Sequence, residues 1–194
     1  MSRLESFATA VRFTLATWIL CGLAYPAIEV AINQVMFPFQ ANGSLVQVSG
    51  KIVGSRLIGQ RFLGARWFHG RPSAVNDDPL TSGGSNLGPM SRRLKQHLIQ
   101  RSMRLRKEHP GLRGVTLPSD MITSSGSGLD PDISPANAYL QARWIARARG
   151  LPSDAMDQLI ARHLHRPLLG LFGEPYVNVL TLNLALMKTS PEVH

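Results

Sequence analysis

The longest run of apolar positions lies near the N-terminus. Between Phe13 and Ile32 a stretch of twenty residues carries a single charge, Glu29. A helix of about 20 residues crosses roughly 30 Å of hydrocarbon, whereas the apolar core of a signal peptide is typically about 7–15 residues long. No small-x-small cleavage site follows, and a lipoprotein signal would need a small residue before Cys21. The pattern predicts a retained transmembrane helix rather than a cleaved signal, kinked at Pro26 because proline lacks a backbone N–H.

Beyond this helix the apolar residues come in short, interrupted groups. In residues 45–62 they form two groups separated by Gly50 and Gly54, which is typical of two short strands with a turn or bulge. The adjacent aromatics Trp67 and Phe68 precede a glycine and a proline. They indicate a strand end that is anchored in the core and leads into a loop.

The second half of the chain has helical spacing. A helix is predicted over residues 90–107, with Pro89 in its first turn. Its apolar stripe consists of Met90, Leu94, Leu98 and Leu105. Ser134 is expected to cap a helix that begins at Pro135 and is stopped by Gly150.

Two more segments complete the domain. Residues 153–165 fit a helix, and Glu174 and Pro175 open an apolar helix or a strand followed by a helix. Early strands and late helices predict the α+β class, here one N-terminal transmembrane helix followed by a single compact soluble α+β domain. A length of 194 residues suits one domain with a short appendage.

The charges that flank the apolar run predict its orientation. Arg3 and Arg12 precede it, and no Lys or Arg follows until Lys51. By the positive-inside rule the N-terminus is cytoplasmic and the domain lies on the other side of the membrane, in the periplasm. The predicted organisation is a cytoplasmic N-terminus, a transmembrane helix and a periplasmic domain over residues 1–12, 13–33 and 34–194.

The net charge of +9 belongs to the domain, because 19 of the 21 Lys and Arg residues, all but Arg3 and Arg12, follow residue 33. No RNP-like run, zinc-finger spacing or recognition helix accompanies this charge, so nucleic-acid binding is not expected. The basic residues of segment 90–107 fit either a solvated helix face or a docking surface for an acidic partner or lipid headgroups.

Most catalytic signatures are missing. The chain has no phosphate-binding P-loop, no Gly-x-Ser-x-Gly, no His-Glu-x-x-His and no Asp-Lys-Thr-Gly. Cys21 is the single cysteine, and the pair His163 and His165 has no acidic or third histidine neighbour. No catalytic residue, no metal site and no tightly bound cofactor is therefore predicted.

Two Gly/Ser loops remain, at residues 81–88 and 123–130. The first is predicted to lead directly into a helix N-terminus, where backbone N–H groups can hold phosphate or carboxylate, although such loops are also common connectors. Asp130 and Asp132 could offer carboxylates to a cation, but a turn with negative charge ahead of the helix at Pro135 is the more common arrangement.

Several blocks of sequence, taken in order, closely resemble the KdpC family of the Kdp-type potassium-transporting ATPases. The blocks are residues 41–45, 54–60 with Phe62, 68–74, 82–89, 125–131 with 133–135, 148–151, and 173–175 with 177–180 and 182–186. Each block is weak, but together they cover nearly the whole chain. The sequence departs from the usual family residues at three positions, with Trp67 in place of Tyr, Asp132 in place of His and Ser124 in place of Ala. An aspartate in place of the histidine changes the local charge at position 132.

The resemblance implies an accessory subunit without its own catalytic site in a high-affinity, ATP-driven potassium importer. Its partners would be a channel-like subunit and a P-type ATPase subunit. In that family this subunit is proposed to act as a catalytic chaperone that raises the ATP affinity of the ATPase subunit, with ATP as a ligand met only through the complex. In that proposal the nucleotide-contacting residues, by resemblance to the ABC-transporter signature loop, are Ser82, Gly83, Gly84, Ser85 and Asn86. The predicted topology conflicts with direct contact, because it puts this loop on the side without ATP.

Two other functions fit parts of the sequence. One is a membrane-anchored hydrolase that uses Ser127 or Ser85, for which no histidine–acid pair has diagnostic spacing. The other is a membrane-anchored periplasmic module that binds anions or lipids through residues 90–107.

Overall fold

The computed structural model describes residues 3–167 and 169–189. The chain divides after Val46 into two compact units. The predicted boundaries at residues 12 and 33 concern a membrane that the structure does not contain, and they stay predictions.

The first unit is dominated by one long apolar helix. Helix α1 (Arg3–Ile19), a π-helical turn (Leu20–Ala24) and helix α2 (Tyr25–Met36) follow without a break. Together they form 34 residues with a mean hydropathy of 1.7 in the most apolar window, long and apolar enough to cross a membrane. A short helix α3 (Pro38–Ala41) follows. The long apolar helix contains the predicted span and extends beyond it at both ends.

The π-helical turn lies directly before Pro26. The N–H of Tyr25 donates to the carbonyl of Leu20, five residues earlier, instead of four. A proline ring collides with the carbonyl four residues before it and leaves that carbonyl without its usual donor. One wider turn is a known way to relieve such a conflict without ending the helix. The sequence predicted a kink at Pro26, and the structure has this π-helical turn before the proline.

A two-stranded sheet follows. Strands β1 (Leu45–Val48) and β2 (Lys51–Ser55) pair with each other. Ser49 and Gly50 join them, with φ of 51° and 77°. Positive φ at both central residues is characteristic of the tight hairpin turn that matches strand twist. The two predicted strands and their turn are confirmed, and the second ends at Ser55 rather than near Phe62.

Helix α4 (Arg92–Glu108) begins later than predicted. The N–H of Ser91 donates to the carbonyl of Gly88 (3.0 Å), so residues 88–91 form a turn. The Ser91 hydroxyl then accepts from the N–H of Leu94 and caps the helix. Pro89 therefore precedes the helix, and Met90, at 94% exposure, takes no part in its apolar stripe. A short 3₁₀ turn (Pro110–Leu112) and helix α5 (Ser119–Ile122) come next.

The remaining elements build a three-stranded antiparallel sheet among helices. They are β3 (Asp132–Ile133), α6 (Pro135–Arg149), α7 (Ser153–His163), β4 (Leu164–His165), β5 (Tyr176–Asn178) and α8 (Val179–Thr189), with β5 central between β3 and β4. The predicted caps of α6 are confirmed, since the Ser134 hydroxyl accepts from the N–H of Asn137 and Gly150 has φ 68°. Helix α7 ends at His163, and the two residues predicted to continue it form β4.

The main core lies between this sheet and helices α6, α7 and α8. Phe68 is fully buried in it beside Ile145, Ile160, Val177 and Leu182. The expectation that Phe68 anchors the core is therefore confirmed. Arg66 lies in a turn and Trp67 in a bend, and residues 68–71 belong to no strand, so the expected strand end is wrong in that detail. The second unit mixes helix and sheet, as the predicted α+β class requires.

Candidate functional site

Side-chain amides hold the backbone around Phe68 in place of a neighbouring strand. Asn183 accepts from the Phe68 N–H and donates to the Phe68 carbonyl, both at 2.9 Å. Gln141 likewise accepts from the His69 N–H and donates to the His69 carbonyl, both at 2.8 Å. Asn183 and Gln141 are themselves buried. The backbone N–H and carbonyl groups of Phe68 and His69 thus have hydrogen-bond partners although these residues join no sheet, as buried backbone groups require.

Side-chain hydrogen bonds connect Gln141 to the start of α6. Gln141 donates to the side-chain oxygen of Asn137 (2.9 Å), and Asn137 donates to Asp120 (3.0 Å). Asp120 also accepts from the N–H (2.7 Å) and the hydroxyl (3.0 Å) of Ser134. The carboxylate that is hydrogen-bonded at the N-terminus of α6 is therefore Asp120, while the turn predicted at Asp130 is present, since the Asp130 side chain accepts from the N–H two residues later.

Asp130 instead binds Arg71. The Arg71 guanidinium lies 3.0 Å from the Asp130 carboxylate and also donates to the Ser124 carbonyl (3.4 Å). The other carboxylate oxygen of Asp130 accepts from the N–H of Asp132 (3.0 Å). The N–H of Ser125 donates to the Pro72 carbonyl (3.0 Å), beside this ion pair. Arg71 thereby fixes the second Gly/Ser loop to the segment that the amides hold.

The two Gly/Ser loops are in direct contact. The N–H of Gly83 (2.8 Å) and the hydroxyl of Ser82 (3.2 Å) both donate to the Ser127 carbonyl. A Cβ on Gly84 would lie 2.8 Å from the Gly126 carbonyl oxygen, and one on Gly128 would lie 2.6 Å from the Gly83 carbonyl oxygen. The backbones approach so closely that side chains do not fit between them. Neither Gly83 nor Gly84 has a positive φ, whereas Gly128 does, at 72°.

The structure places the five candidate nucleotide residues at this junction. Ser82 and Asn86 are exposed, and the residues between them are half-buried. The segment does not lead directly into a helix, because five residues separate Asn86 from α4 and Ser91 already caps that helix. The N–H of Gly83 is also engaged within the chain. The prediction that this loop leads directly into a helix N-terminus is therefore wrong, while nucleotide contact by Ser82–Asn86 stays a prediction.

Ser127, one of the two serines of the hydrolase alternative, is hydrogen-bonded to ordinary loop groups. The Ser127 hydroxyl accepts from the N–H of Leu129 (3.1 Å) and lies 3.5 Å from the Ser125 hydroxyl. Neither group is a base that could activate a nucleophile. Among residues 3–167 and 169–189, no three His, Cys, Asp or Glu side chains gather in a way that could hold a metal ion.

Trp67 and Asp132, two of the positions at which the sequence differs from the usual family residues, have specific contacts. Trp67 lies against Phe62, with ring centroids 6.1 Å apart, and under the guanidinium of Arg149 at 4.6 Å. Asp132 accepts from the side-chain amide of Asn178 (2.8 Å), which also donates to the Arg56 carbonyl. Asn178 therefore joins the three-stranded sheet to the segment that follows β2.

Burial shifts two titratable groups near these contacts. It raises the pKa of Asp132, against the opposing hydrogen bond from Asn178. It lowers the pKa of His69, and the nearby charge of His109 lowers it further. Asp132 is thus easier to protonate than an ordinary aspartate, and His69 is harder to protonate than an ordinary histidine.

These features define a class of protein that joins one apolar helix of membrane-spanning length to a small α+β domain with two interlocked Gly/Ser loops. Comparison with known sequences identifies the family. The profile of the KdpC family, described as "K+-transporting ATPase, c chain", matches residues 7–188. The chain belongs to this family.

Curated relatives carry the same name. The chain is 45% identical over 184 residues, 95% of each chain, to the potassium-transporting ATPase KdpC subunit of Caldanaerobacter subterraneus subsp. tengcongensis. It is 52% identical over 171 residues to the KdpC subunit of Nitratidesulfovibrio vulgaris, covering 87% of this chain and 86% of the relative. Identity to the KdpC subunit of Caulobacter vibrioides is 51% over 176 residues, 89% and 88% of the two chains. The family resemblance of the sequence is confirmed.

Proposed function

We propose that this chain is a single-span accessory subunit of an ATP-driven potassium importer in a bacterial inner membrane and performs no chemistry itself. The observation that carries the proposal is the match to the KdpC family from residue 7 to residue 188, which covers the apolar helix and the domain together. Its partners are then a channel-like subunit and a P-type ATPase subunit, which supply potassium selection and ATP hydrolysis.

The apolar helix supports a role in assembly. None of its described side chains is buried within the chain. Small residues allow transmembrane helices to approach closely, and this helix carries Ala16, Gly22, Ala24 and Ala27. The Tyr25 hydroxyl donates to Glu29, so the one acidic group of the span has a partner at hand. The helix is thus suited to packing against helices of the other subunits.

The domain also exposes apolar side chains where it follows the helix. Ile52, Leu57 and Leu63 are all largely exposed. An isolated two-stranded hairpin is only marginally stable in water. Contact with another subunit would cover these residues and support the hairpin.

The orientation follows from charge. Arg3 and Arg12 lie before the span and no basic residue follows until Lys51, which favours a cytoplasmic N-terminus and a periplasmic domain. In this orientation Ser82–Asn86 does not meet ATP, and the engaged N–H of Gly83 supports a structural role for the loop. Any chaperone effect on ATP affinity is then transmitted through the partner subunits, as a coupling of typically about 1–3 kcal/mol.

Co-purification from mild detergent tests the proposal. The tagged chain is expected to bring both partner subunits, and a chain without residues 1–33 is expected to bring neither. Gly22→Leu is a sharper variant, because a Cβ at Gly22 meets nothing within 4 Å inside the chain. Loss of partners in Gly22→Leu, with Val30→Leu unaffected as the control, would support docking through the small residues. Normal assembly of the truncated chain and growth at low potassium would contradict it.

A further inference from the structure

The inward side of helix α4, which includes Leu94, Leu98 and Leu105, is only half-buried. None of its 17 residues is buried. Leu105 is only partly buried, against the small cluster of Leu112, Met121 and Leu140. Helices in folded domains are normally stabilised by packing an apolar face, as α6 and α7 do with their buried residues. Most of the circumference of α4 is therefore available to something outside the chain.

Two arginines of α4 form hydrogen bonds with backbone carbonyls elsewhere in the domain. Arg101 donates to the carbonyl of Ile122 (2.9 Å). Arg106 donates to the carbonyls of Leu112 (3.3 Å) and Val115 (2.9 Å). These basic residues serve the fold, so they are not part of the free charge of the helix.

The side of α4 turned away from Leu105 carries two apolar side chains among cations. Ile99 and Met103 are 47% and 65% exposed and, being four residues apart, share one face. The exposed cations of this face and its rims are Arg92, Arg93, Lys95 and Lys107. In the part of the chain that the structure describes, none of these four forms an ion pair. We call Ile99, Met103 and the four cations the outer face of α4.

The charge of the outer face is unbalanced. Glu108 is the single acidic residue of α4, and it is paired with Arg104 at 2.7 Å. Like charges three or four residues apart, such as Arg92 and Lys95, destabilise a helix. An anionic surface would remove this repulsion. Exposed long apolar side chains between cations are also the pattern of helices that lie in a membrane interface.

We propose that the outer face of α4 binds anionic lipid headgroups, with Ile99 and Met103 entering the boundary between headgroups and acyl chains. Lipid is favoured over an acidic protein because the apolar helix of residues 3–36 would keep the domain beside a bilayer, where even a weak attraction acts at high effective concentration. In this one respect the inference rests on the membrane anchorage in the proposed function.

Fluorescence from a probe on the outer face tests the inference. The full chain, with Cys21→Ala and Gln96→Cys carrying a polarity-sensitive fluorophore, is reconstituted in nanodiscs of phosphatidylcholine with or without phosphatidylglycerol. Gln96 is exposed and lies on the same face as Ile99. A blue shift is expected only with phosphatidylglycerol, and salt at about 1 M should reverse it because the Debye length falls to about 3 Å. The same probe at Gln158→Cys on α7 should not respond.

Matched charge variants make the test specific. Glutamine at Arg92, Arg93, Lys95 and Lys107 should abolish the shift, since each cation near an anionic surface contributes about fivefold in affinity, or about 1 kcal/mol. Glutamine at four other exposed residues, Arg113, Arg143, Arg162 and Arg166, gives the same net charge and should leave the shift intact.

Three results would overturn the inference. They are an equal shift in pure phosphatidylcholine, a shift that survives neutralisation of the outer face, and a shift produced in pure phosphatidylcholine by soluble polyglutamate, which would indicate an acidic protein partner. Release of the chain from bilayers by alkaline carbonate would contradict the anchorage in the proposed function. It would not contradict the lipid contact, which the phosphatidylglycerol-dependent shift reports by itself.

Discussion

The side chain of Asn183 forms hydrogen bonds with both backbone polar groups of Phe68, 115 residues away in the chain. Leucine has the same number and branching of side-chain heavy atoms as asparagine but cannot form these bonds. Asn183→Leu would leave a buried N–H and a buried carbonyl without partners, at about 1–3 kcal/mol each. We expect the variant to lose about 2–5 kcal/mol of stability, measured by chemical unfolding of the full chain in detergent.

Gln158→Leu on the exposed side of α7 is the control, because surface substitutions usually change stability by less than about 0.5 kcal/mol. Equal stability of the Asn183→Leu and Gln158→Leu chains would show that the amide does not support the Phe68 segment.

The contact between the Gly/Ser loops predicts a difference between two adjacent glycines. At Gly84 a methyl group would lie 2.8 Å from the Gly126 carbonyl, whereas at Gly83 its nearest neighbour is a Val75 methyl at 3.7 Å. Gly84→Ala should therefore cost about 1–3 kcal/mol through a backbone shift, and Gly83→Ala should cost much less. Thermal unfolding of the two variants measures the difference, and an equal effect would contradict the close approach of the loops.

Elements with strong local signals could be predicted from the sequence. The cap at Ser134 and the stop at Gly150 fix α6, because a hydroxyl acceptor and a left-handed glycine act over three or four residues. The start of α4 could not be fixed in this way, since Pro89 and Ser91 are both common at helix starts. The turn hydrogen bond from Ser91 to Gly88 decides between them.

Features that depend on distant partners could not be predicted. The segment around Phe68 has the composition of a strand, but its hydrogen bonds come from side chains of α6 and α8, which no local pattern reveals. The role of Gly84 has the same origin, because its close neighbour Gly126 lies in the other loop. The sequence pointed to the two loops, but it pointed to none of Gln141, Asn137 and Asp120, which hold the backbone beside them.

Asp132 gives the domain a predicted pH dependence. Burial is the largest cause that raises its pKa, and the charge of Asp130 adds to it, against opposing effects of Asn178, His165 and Arg56. The folded state therefore holds the proton more tightly than the unfolded state, whose pKa is near 3.8. The stability from this group is complete below that pH and is lost as the pH rises through the higher folded-state pKa.

Asp132→Asn keeps an oxygen that can accept from Asn178 and removes the charge. We expect this variant to melt at a higher temperature than the parent chain at pH 7, with the difference disappearing as the pH falls below about 4. Asp157→Asn, at an exposed position on α7, is the control and should show no such convergence. A lower melting temperature of Asp132→Asn at pH 7 would mean that attraction to His165 and Arg56 outweighs burial.

The side of the membrane on which the domain lies decides how the chain can influence ATP. A thiol at Ser91 would report on the Ser82–Asn86 loop, but the Ser91 hydroxyl caps α4, so Met90→Cys, at 94% exposure, is the better site. The native Cys21 lies in the apolar helix and should react poorly. In intact spheroplasts an impermeant thiol reagent is expected to label Met90→Cys at once, because the orientation proposed from the charges around the span has the domain outside.

Leu4→Cys, on the opposite side of the span, is the matched control and should be labelled only after the membrane is permeabilised. The reverse pattern would overturn the orientation and make direct contact between ATP and Ser82–Asn86 feasible. If Met90→Cys is labelled from outside, the loop and ATP are on different sides of the membrane. An effect on ATP affinity must then be carried by the partner subunits. Because such coupling is reciprocal, ATP must change the affinity of this chain for the complex by the same factor.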